Sequence, residues 1–384
     1  VMGALAVLLL IPALVAVMPL PVLRAAAASP YDDWPTYLHD TARSAASAEK
    51  ILSPANATTL KSKWTFTTGA SIATSPAVVG GIAYFGSWDG NEYAVNVSTG
   101  AQVWKTGLGT NSDPVCVPPS AGITSSAAVV NGVVYVGGAN DQNGMEQWYA
   151  LNASNGSVLW SVPTGQGGQA GAHYNWSSPL IITNPVDHQQ YAYIGIASNC
   201  DNPLVPGQLL QVNLTTHQVS NTLNLVPQGE VGGGIWTSPT YDPATNTIFV
   251  STGTLNEYDQ KYSQAVVAVD ANAMTITGYW QLPFENATLD SDWGTTPTLT
   301  TDTNGRQLVS LANKNGILYT FLRSNLAAGP VWQDQLAIGG DCPTCGDGTI
   351  ASGAFVPSIT VNGPSGAVTQ PVLFYASGNS MVNG

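Results

Sequence analysis

A segment of 50 to 60 residues recurs along this chain, and this repeat limits the possible folds more than any other feature. Position 76 has counterparts at positions 127, 179, 239 and 297, in steps of 51, 52, 60 and 58 residues. Each copy contains short apolar runs separated by Gly-rich turns. A repeat of this length with four strands per unit is typical of β-propellers. One four-stranded unit cannot bury both of its faces, so neighbouring units pack in a ring.

The composition supports an all-β chain. Charged residues make up only 9%, while the chain contains 40 Gly and 25 Pro, a balance typical of many short strands joined by turns. Two copies end in Thr-Gly-Ala-Gln-Val-Trp104 and Ser-Asn-Gly-Ser-Val-Leu-Trp160. We expect the Gly to turn the chain and the Trp to pack against the neighbouring unit. Residues 29–384 are therefore predicted to form a partial β-propeller of about five and a half blades, in which a sixth copy opens near Ser352.

The charge and the N-terminal segment indicate the class and the compartment of the protein. The net charge is −13 and only ten residues are basic, which argues against nucleic-acid binding because phosphate contacts require clustered Lys and Arg. Residues 1–23 are almost entirely apolar and are followed by Arg24 and a run of Ala. This pattern predicts a signal peptide over residues 1–28, with an N-terminal membrane anchor as the alternative. Either interpretation predicts a secreted or periplasmic protein, and only the anchor would involve a membrane.

The four cysteines fit an oxidising compartment. Cys342 and Cys345 stand in Cys-Pro-Thr-Cys, which predicts a local disulfide, with a redox motif as the alternative. Cys116 and Cys200 are the remaining pair. The four His lie far apart in the sequence, at positions 39, 173, 188 and 217, so a His/Cys metal site is not expected.

Several of these segments resemble the quinoprotein alcohol dehydrogenases, including the polyvinyl-alcohol and methanol dehydrogenase types. The lead-in Asp33-Trp-Pro-Thr-Tyr, Arg43 and Trp64-Thr-Phe-Thr-Thr-Gly is similar to the N-terminal block of that family, and the Trp-terminated repeats are similar to its blades. The resemblance extends from residue 33 to about residue 380. It implies an eight-bladed propeller that binds pyrroloquinoline quinone (PQQ) and usually Ca²⁺.

The same resemblance points to three residues of a quinone site. Trp236, in Gly-Gly-Gly-Ile-Trp-Thr-Ser-Pro, matches the family's Trp beneath the cofactor ring. Asp292 matches the general base that takes the alcohol proton, and Lys314 matches the cation that reaches the quinone oxygens. A base and a cation suit hydride transfer from an alcohol to a quinone. The structural alternatives are a packing Trp, a turn Asp and a solvated Lys in an Asn-Gly hairpin.

The metal ligands implied by the resemblance are less well matched. The family uses a Glu, an Asn and the catalytic Asp, here Asp292. Thr254 falls at the Asn position and is a poorer Ca²⁺ ligand, so Asn256 is expected to substitute for it. Asp201 is the only carboxylate near the Glu position. The chain also lacks the pair of adjacent cysteines found in many family members.

The resemblance therefore implies a PQQ-dependent oxidoreductase that oxidises an alcohol by hydride transfer in the extracytoplasmic space. Its substrate would be a small-molecule or polymeric alcohol, and its electron acceptor a protein such as a cytochrome c. The alternative is a non-catalytic propeller of the same repeat that acts as a binding or assembly module, because one fold can serve unrelated functions.

Overall fold

The protein is described by a computed structural model that covers residues 32–53, 55–140, 144–167, 172–287, 290–340, 350–363 and 366–376. The predicted signal peptide and the Cys342–Cys345 pair lie outside these residues. Among the described residues, no helix combines the length and the apolar character needed to cross a bilayer. The described helices are three single 3₁₀ turns, Ala57–Thr59, Phe284–Asn286 and Leu326–Ala328.

The first two repeats each form a four-stranded antiparallel sheet in which each strand pairs with the next. Sheet 1 consists of β1 (Ala77–Val79), β2 (Ile82–Gly86), β3 (Asn91–Asn96) and β4 (Gln102–Gly107). A short hairpin follows, formed by β5 (Asn111–Ser112) and β6 (Ser120–Ala121). Sheet 2 consists of β7 (Ala128–Val130), β8 (Val133–Asn140), β9 (Met145–Asn152) and β10 (Val158–Gln166).

The next three repeats follow the same plan. Sheet 3 consists of β11 (His173–Tyr174), which pairs with the end of β13, and the meander β12 (Leu180–Thr183), β13 (Gln190–Ser198), β14 (Gln208–Asn213) and β15 (Gln218–Asn224). Sheet 4 consists of β16 (Thr240–Asp242), β17 (Thr247–Ser251), β18 (Ala265–Asp270) and β19 (Thr275–Gln281). Sheet 5 consists of β20 (Thr298–Thr301), β21 (Gln307–Ala312), β22 (Ile317–Leu322) and β23 (Pro330–Gln335). A hairpin of β24 (Ala354–Gly363) and β25 (Gly366–Phe374) comes last.

This all-β architecture of repeated four-stranded sheets agrees with the predicted β-propeller class. Buried apolar clusters join sheet 1 to sheet 2, sheet 2 to sheet 3, sheet 3 to sheet 4 and sheet 4 to sheet 5. Each inner sheet therefore buries both faces against its neighbours, as the repeat requires. The total of eight blades remains a prediction.

The recurring Ser/Thr before each first strand joins one sheet to the next. In each case a backbone N–H in one repeat donates to the side-chain hydroxyl at the same position of the following repeat. The donor–acceptor pairs are Ser75–Ser126 at 2.9 Å, Ser126–Ser178 at 3.0 Å, Ser178–Ser238 at 3.0 Å, Ser238–Thr296 at 3.1 Å and Thr296–Ser352 at 3.0 Å. This series explains the spacing of the repeat, and it places Ser352 two residues before β24, where a sixth copy was expected.

The Trp that ends a repeat packs on the turn Gly of the following repeat. Gly156 has a φ of +73°, and a Cβ there would lie 2.7 Å from the ring of Trp104. The indole Nε1 of Trp104 donates to the carbonyl of Ala153, 2.9 Å away. Trp64 has the same relation to Gly100 in sheet 1. In both contacts the Gly turns the chain and the Trp packs against it, as predicted. Trp332 of sheet 5, by contrast, is half exposed.

The lead-in becomes a hub segment, residues 34–44, that contacts the first strand of successive repeats. Its backbone hydrogen bonds reach five of them, through Trp34–Val78, Pro35–Val129, Thr41–Tyr241, Ala42–Leu299 and Ser44–Phe355. Arg43, which is fully buried, reaches the carbonyls of Pro179 and Pro239 in sheets 3 and 4. A segment predicted only as a loop-rich lead-in therefore ties the repeats together at one end of the sheets.

A disulfide joins Cys116 to Cys200, as predicted, across 84 residues of sequence. Cys116 lies between β5 and β6, and Cys200 lies just after β13. Asp113 is close to both sulfur atoms. A metal site there is not indicated, because the two sulfurs are bonded to each other and metal ligation needs thiolates.

Candidate functional site

An open cavity lies where the first strands begin and the second strands end in sheets 3, 4 and 5. It measures about 610 Å³ including its mouth. It is lined by Trp176, Ala197, Ser198, Asn199, Cys200, Asp201, Leu204, Gly234, Trp236, Gly253, Thr254, Asp292 and Lys314. The cavity therefore brings together five of the six residues predicted from the sequence.

Trp236 is positioned by two neighbouring glycine-containing turns. It precedes β16, and it follows a turn in which the Gly233 N–H donates to the Thr254 carbonyl at 2.8 Å. The Gly253 N–H donates back to the carbonyl of Gly234, also at 2.8 Å. These two bonds hold the loop before β16 against the loop after β17, so the half-buried indole of Trp236 faces the cavity.

Asp292 is the buried acid of this cavity. The Trp236 Nε1 donates to its Oδ2 at 3.1 Å, and the Thr254 hydroxyl lies 3.4 Å from both of its oxygens. Burial raises the pKa of Asp292 to about 7, and the charges of Asp290 and Asp201 add to the rise; the Lys314 ammonium and the Trp236 hydrogen bond oppose it. A carboxyl that titrates near neutrality in a cleft is suited to proton transfer.

Lys314 brings a positive charge to the same wall. Its Nζ lies 2.6 Å from Asp290, 4.0 Å from Asp292 and 5.1 Å from the ring centroid of Trp236. The Lys314 backbone N–H also donates to the carbonyl of Asp292 at 3.0 Å. The side chain is mostly buried, so its charge acts on the cavity with little screening by solvent. This environment does not fit the alternative in which Lys314 is a solvated residue of an Asn-Gly hairpin.

Asp201 and Thr254 meet at the opposite side of Asp292. The Thr254 hydroxyl donates to Asp201 Oδ2 at 2.7 Å, while Asp201 itself is exposed at the cavity mouth. Asn256 does not line the cavity; its side chain is exposed and its backbone N–H donates to Gln260 Oε1 at 2.8 Å. The structure therefore groups Asp201, Thr254 and Asp292 and leaves Asn256 apart from them.

Several residues that line the cavity or lie beside it were not predicted from the sequence. Asp290 pairs with Lys314 and is separated from Asp292 by one residue, so the Asp-Ser-Asp pattern could have indicated it. Trp176 precedes β12 as Trp236 precedes β16, and the shared Trp-Ser/Thr-Ser-Pro motif could have placed it at the cavity. Asn199 and Leu204 carry no comparable signal.

The lining fits a planar anionic quinone and a hard cation. Trp236 offers an aromatic face and Lys314 a positive charge beside it, which suits a flat molecule that bears carboxylates. Asp201, Asp292 and Thr254 offer two carboxylates and a hydroxyl, which are oxygen ligands of the kind that Ca²⁺ takes. Burial and the charges of Asp290 and Asp201 raise the pKa of Asp292, so a cation held between these carboxylates would favour its ionised form.

Gly253 leaves room for the acid, and this leads to the first prediction. A Cβ at Gly253 would lie 2.5 Å from Asp292 Oδ2 and 3.0 Å from Trp236 Nε1. Gly253→Ala is therefore expected to displace the carboxylate and lower any activity that depends on Asp292 by about 100-fold. Gly278→Ala in β19 is the matched control, since a Cβ there meets nothing within 4 Å. Steady-state kinetics of the two variants, with thermal unfolding alongside, test the contact; equal activity would contradict it.

Comparison with known proteins identifies the relatives of this chain. A family model described as outer membrane protein assembly factor BamB, a PQQ-repeat model, matches residues 22–140 and 93–186. Polyvinylalcohol dehydrogenase of Sphingopyxis sp. (strain 113P3) is 26% identical over 321 residues, which are 73% of this chain and 47% of that protein. Quinohemoprotein alcohol dehydrogenase of Comamonas testosteroni is 25% identical over 337 residues, 76% of this chain and 45% of that protein.

Solved structures show the same fold. The Comamonas testosteroni quinohemoprotein alcohol dehydrogenase superposes with a TM-score of 0.63 at 21% identity, over 82% of this chain and 51% of that one. A europium-containing methanol dehydrogenase superposes with a TM-score of 0.66 at 18% identity, over 80% and 58%. The predicted resemblance is confirmed by the sequence comparisons: the chain is similar to quinoprotein alcohol dehydrogenases over about three quarters of its length. It spans about half the length of the curated relatives that it matches.

Proposed function

We propose that this chain forms the cofactor-binding part of a PQQ-dependent oxidoreductase that oxidises an alcohol. The observation that carries the proposal is Asp292, a buried carboxyl with a pKa of about 7 that lies in one cavity with Lys314 and Trp236. A packing or turn role requires neither the cation nor the raised pKa. The relatives named as alcohol dehydrogenases support the same reaction class.

In this mechanism Asp292 takes the hydroxyl proton of the alcohol. Its ionised form accepts the proton at a carboxylate oxygen, and the hydrogen bond from Trp236 holds that carboxylate in place. PQQ, when bound, would supply the acceptor for the hydride that leaves the carbinol carbon. The Lys314 ammonium would stabilise negative charge on a bound anion, and Asp290 would keep that ammonium at the wall.

The location and the partners follow from this function. The Cys116–Cys200 disulfide supports an oxidising, extracytoplasmic compartment, either secreted or periplasmic. The substrate would be a small or polymeric alcohol, and electrons would leave to a carrier such as a cytochrome c. An eight-bladed propeller with PQQ and Ca²⁺ would be the complete catalytic unit.

Cofactor binding decides between this proposal and a non-catalytic propeller. The full-length protein is titrated with PQQ and Ca²⁺ by fluorescence quenching of Trp, and alcohol-dependent reduction of an artificial dye is then measured. We expect PQQ to bind at micromolar concentration or better and dye reduction to require both additions. Absence of PQQ binding at these levels would reject the oxidoreductase and favour a binding or assembly module.

The pH dependence of the reaction is a second prediction. Because Asp292 must be ionised to accept a proton, kcat/KM should rise with pH through an apparent pKa near 7. A bound cation favours the ionised form, so saturating Ca²⁺ should move this midpoint to lower pH. Initial rates between pH 5 and 9 at two Ca²⁺ concentrations measure the shift. A midpoint that does not change with Ca²⁺ would show that the cation does not bind next to Asp292.

The raised pKa of Asp292 also predicts how the stability of the fold changes with pH. The folded pKa of Asp292 lies above its ordinary value of 3.8, so the folded protein holds a proton that the unfolded chain releases. Its contribution to stability is therefore present at low pH and is lost as the pH rises towards 7. Thermal unfolding of the cation-free protein should show this loss, and Asp292→Asn should remove it.

A further inference from the structure

One wall of the cavity is a loop that a disulfide attaches to a distant part of the chain. The loop, residues 199–207, connects β13 to β14 and contributes four residues to the lining: Asn199, Cys200, Asp201 and Leu204. This cavity wall loop is also the source of the negative charge at the cavity mouth, since Asp201 lies there. Its position therefore determines where that charge stands relative to Asp292.

The disulfide provides a buried anchor for this loop. Cys116 is almost fully buried, and its N–H donates to the Asp113 carbonyl at 3.1 Å. The Asp113 side chain in turn accepts the N–H of Val115 at 3.0 Å, and the Asp113 N–H donates to Pro119 at 3.0 Å. These hydrogen bonds hold the β5–β6 hairpin and Cys116 in place. The S–S bond then fixes the exposed Cys200 relative to Cys116.

The exposed part of the cavity wall loop, residues 200–203, is held by the disulfide at Cys200 and by the hydrogen bond between Thr254 and Asp201. At the near end, the Asn199 side-chain amide donates to the Cys116 sulfur at 3.3 Å and its backbone N–H donates to the Ala172 carbonyl at 2.7 Å. Val205, at the far end, donates to the Ser198 hydroxyl at 2.9 Å. Asp201 lies between these points with a φ of +58°, and its carboxylate accepts the 2.7 Å hydrogen bond from Thr254. A non-Gly residue keeps such a φ only where its surroundings hold it.

We propose that the Cys116–Cys200 disulfide is a positioning element for Asp201, and that it thereby sets the affinity of the cavity for a divalent cation. The inference rests on the proposed function, because it concerns the cation site of that function. Cys200 lines the cavity but offers no oxygen ligand, so the disulfide would act on a cation through the neighbouring Asp201. Reduction by a dithiol adds two electrons and two protons, leaves a thiol on each cysteine and converts the dithiol to its cyclic disulfide.

The test measures Ca²⁺ binding by isothermal titration of the full-length protein without PQQ. Cys116→Ser/Cys200→Ser is expected to lower the Ca²⁺ affinity about tenfold or more, as the loss of an outer-shell support does in other metal sites. Asp201→Asn should lower it at least as much. In the Asp201→Asn background, removal of the disulfide should cause no further loss, because both changes act through one carboxylate.

That non-additivity separates positioning from general stabilisation. If the disulfide only stabilises the fold, its removal would lower the unfolding temperature without changing Ca²⁺ affinity, or would add its effect to that of Asp201→Asn. Either result overturns the inference. Val117→Ser is the matched control, since Val117 neighbours Cys116 and is 97% exposed. If the double variant fails to fold, the wild-type protein is instead titrated before and after reduction with dithiothreitol, with circular dichroism as a check of the fold.

The two proposals can fail separately. If the wild-type protein binds PQQ and Ca²⁺ but the disulfide variant binds Ca²⁺ equally well, the positioning role is rejected and the oxidoreductase stands. If the wild-type protein binds neither, both proposals are rejected.

Discussion

Asp292→Asn is expected to lower turnover on an alcohol by about 10²–10⁴-fold, the usual contribution of a general base. The amide has the shape of the carboxylate, so its oxygen can still accept the Trp236 hydrogen bond, now 3.1 Å long at Asp292 Oδ2. It cannot take a proton from the substrate. Stopped-flow or steady-state reduction of an artificial dye measures the loss, and PQQ affinity should change by no more than a few fold.

The control for this variant is another Asp→Asn change. Asp302 is paired with the exposed Arg306 in a surface turn, far from the cavity lining, and Asp302→Asn should leave turnover unchanged. Retained turnover in Asp292→Asn would remove Asp292 from the catalytic role. A simultaneous loss of PQQ binding would instead indicate that the charge of Asp292 serves the binding of ligands.

The pattern of sheets could be predicted from the sequence because it is local. The Ser/Thr steps, the Gly turns and the terminal Trp recur along the chain, and contacts such as Trp104 on Gly156 and Trp64 on Gly100 join neighbouring copies. The positions of five sheets therefore followed from one repeat. The total number of blades depends on closure of a ring, and no local sequence pattern determines that number.

The site could be predicted only in part, for a related reason. Trp236, Asp292 and Lys314 each precede a first strand or follow a second strand, so the repeat places them at one end of the sheets. The direction of a side chain within a loop, however, cannot be predicted from the repeat. Asn256 is two residues from Thr254 yet lies outside the cavity lining, and the Lys314–Asp290 pair joins the loop before β20 to the turn after β21.

Arg43 shows how a long-range contact escapes a local pattern. Its sequence position suggested only a lead-in loop, but its guanidinium donates to four acceptors in three parts of the chain. These are the Pro239 carbonyl at 3.0 Å, the Pro179 carbonyl at 3.2 Å, the Tyr37 carbonyl at 2.6 Å and the Thr36 hydroxyl at 3.0 Å. Burial lowers its pKa to about 10, so it remains charged at neutral pH.

Arg43→Met is expected to lower the free energy of unfolding by about 2–6 kcal/mol, the sum for two buried acceptors that lose their donor. Met fills a similar volume but leaves the carbonyls of Pro179 and Pro239 without a donor, and an unsatisfied buried acceptor costs about 1–3 kcal/mol. Urea unfolding followed by Trp fluorescence measures the difference. Because the hub segment contacts several sheets, the variant should also unfold less cooperatively.

Two further substitutions separate the shape of Arg43 from its charge. Arg43→Lys keeps the charge but has no planar fork, so one ammonium cannot reach carbonyls on two sheets. It should therefore recover only part of the lost stability. Arg306→Gln is the control, since Arg306 is exposed and its surface pair with Asp302 is screened by solvent and contributes little to stability. If Arg43→Lys were as stable as the wild type, charge alone would suffice, and the fork between sheets 3 and 4 would not be what holds the hub segment in place.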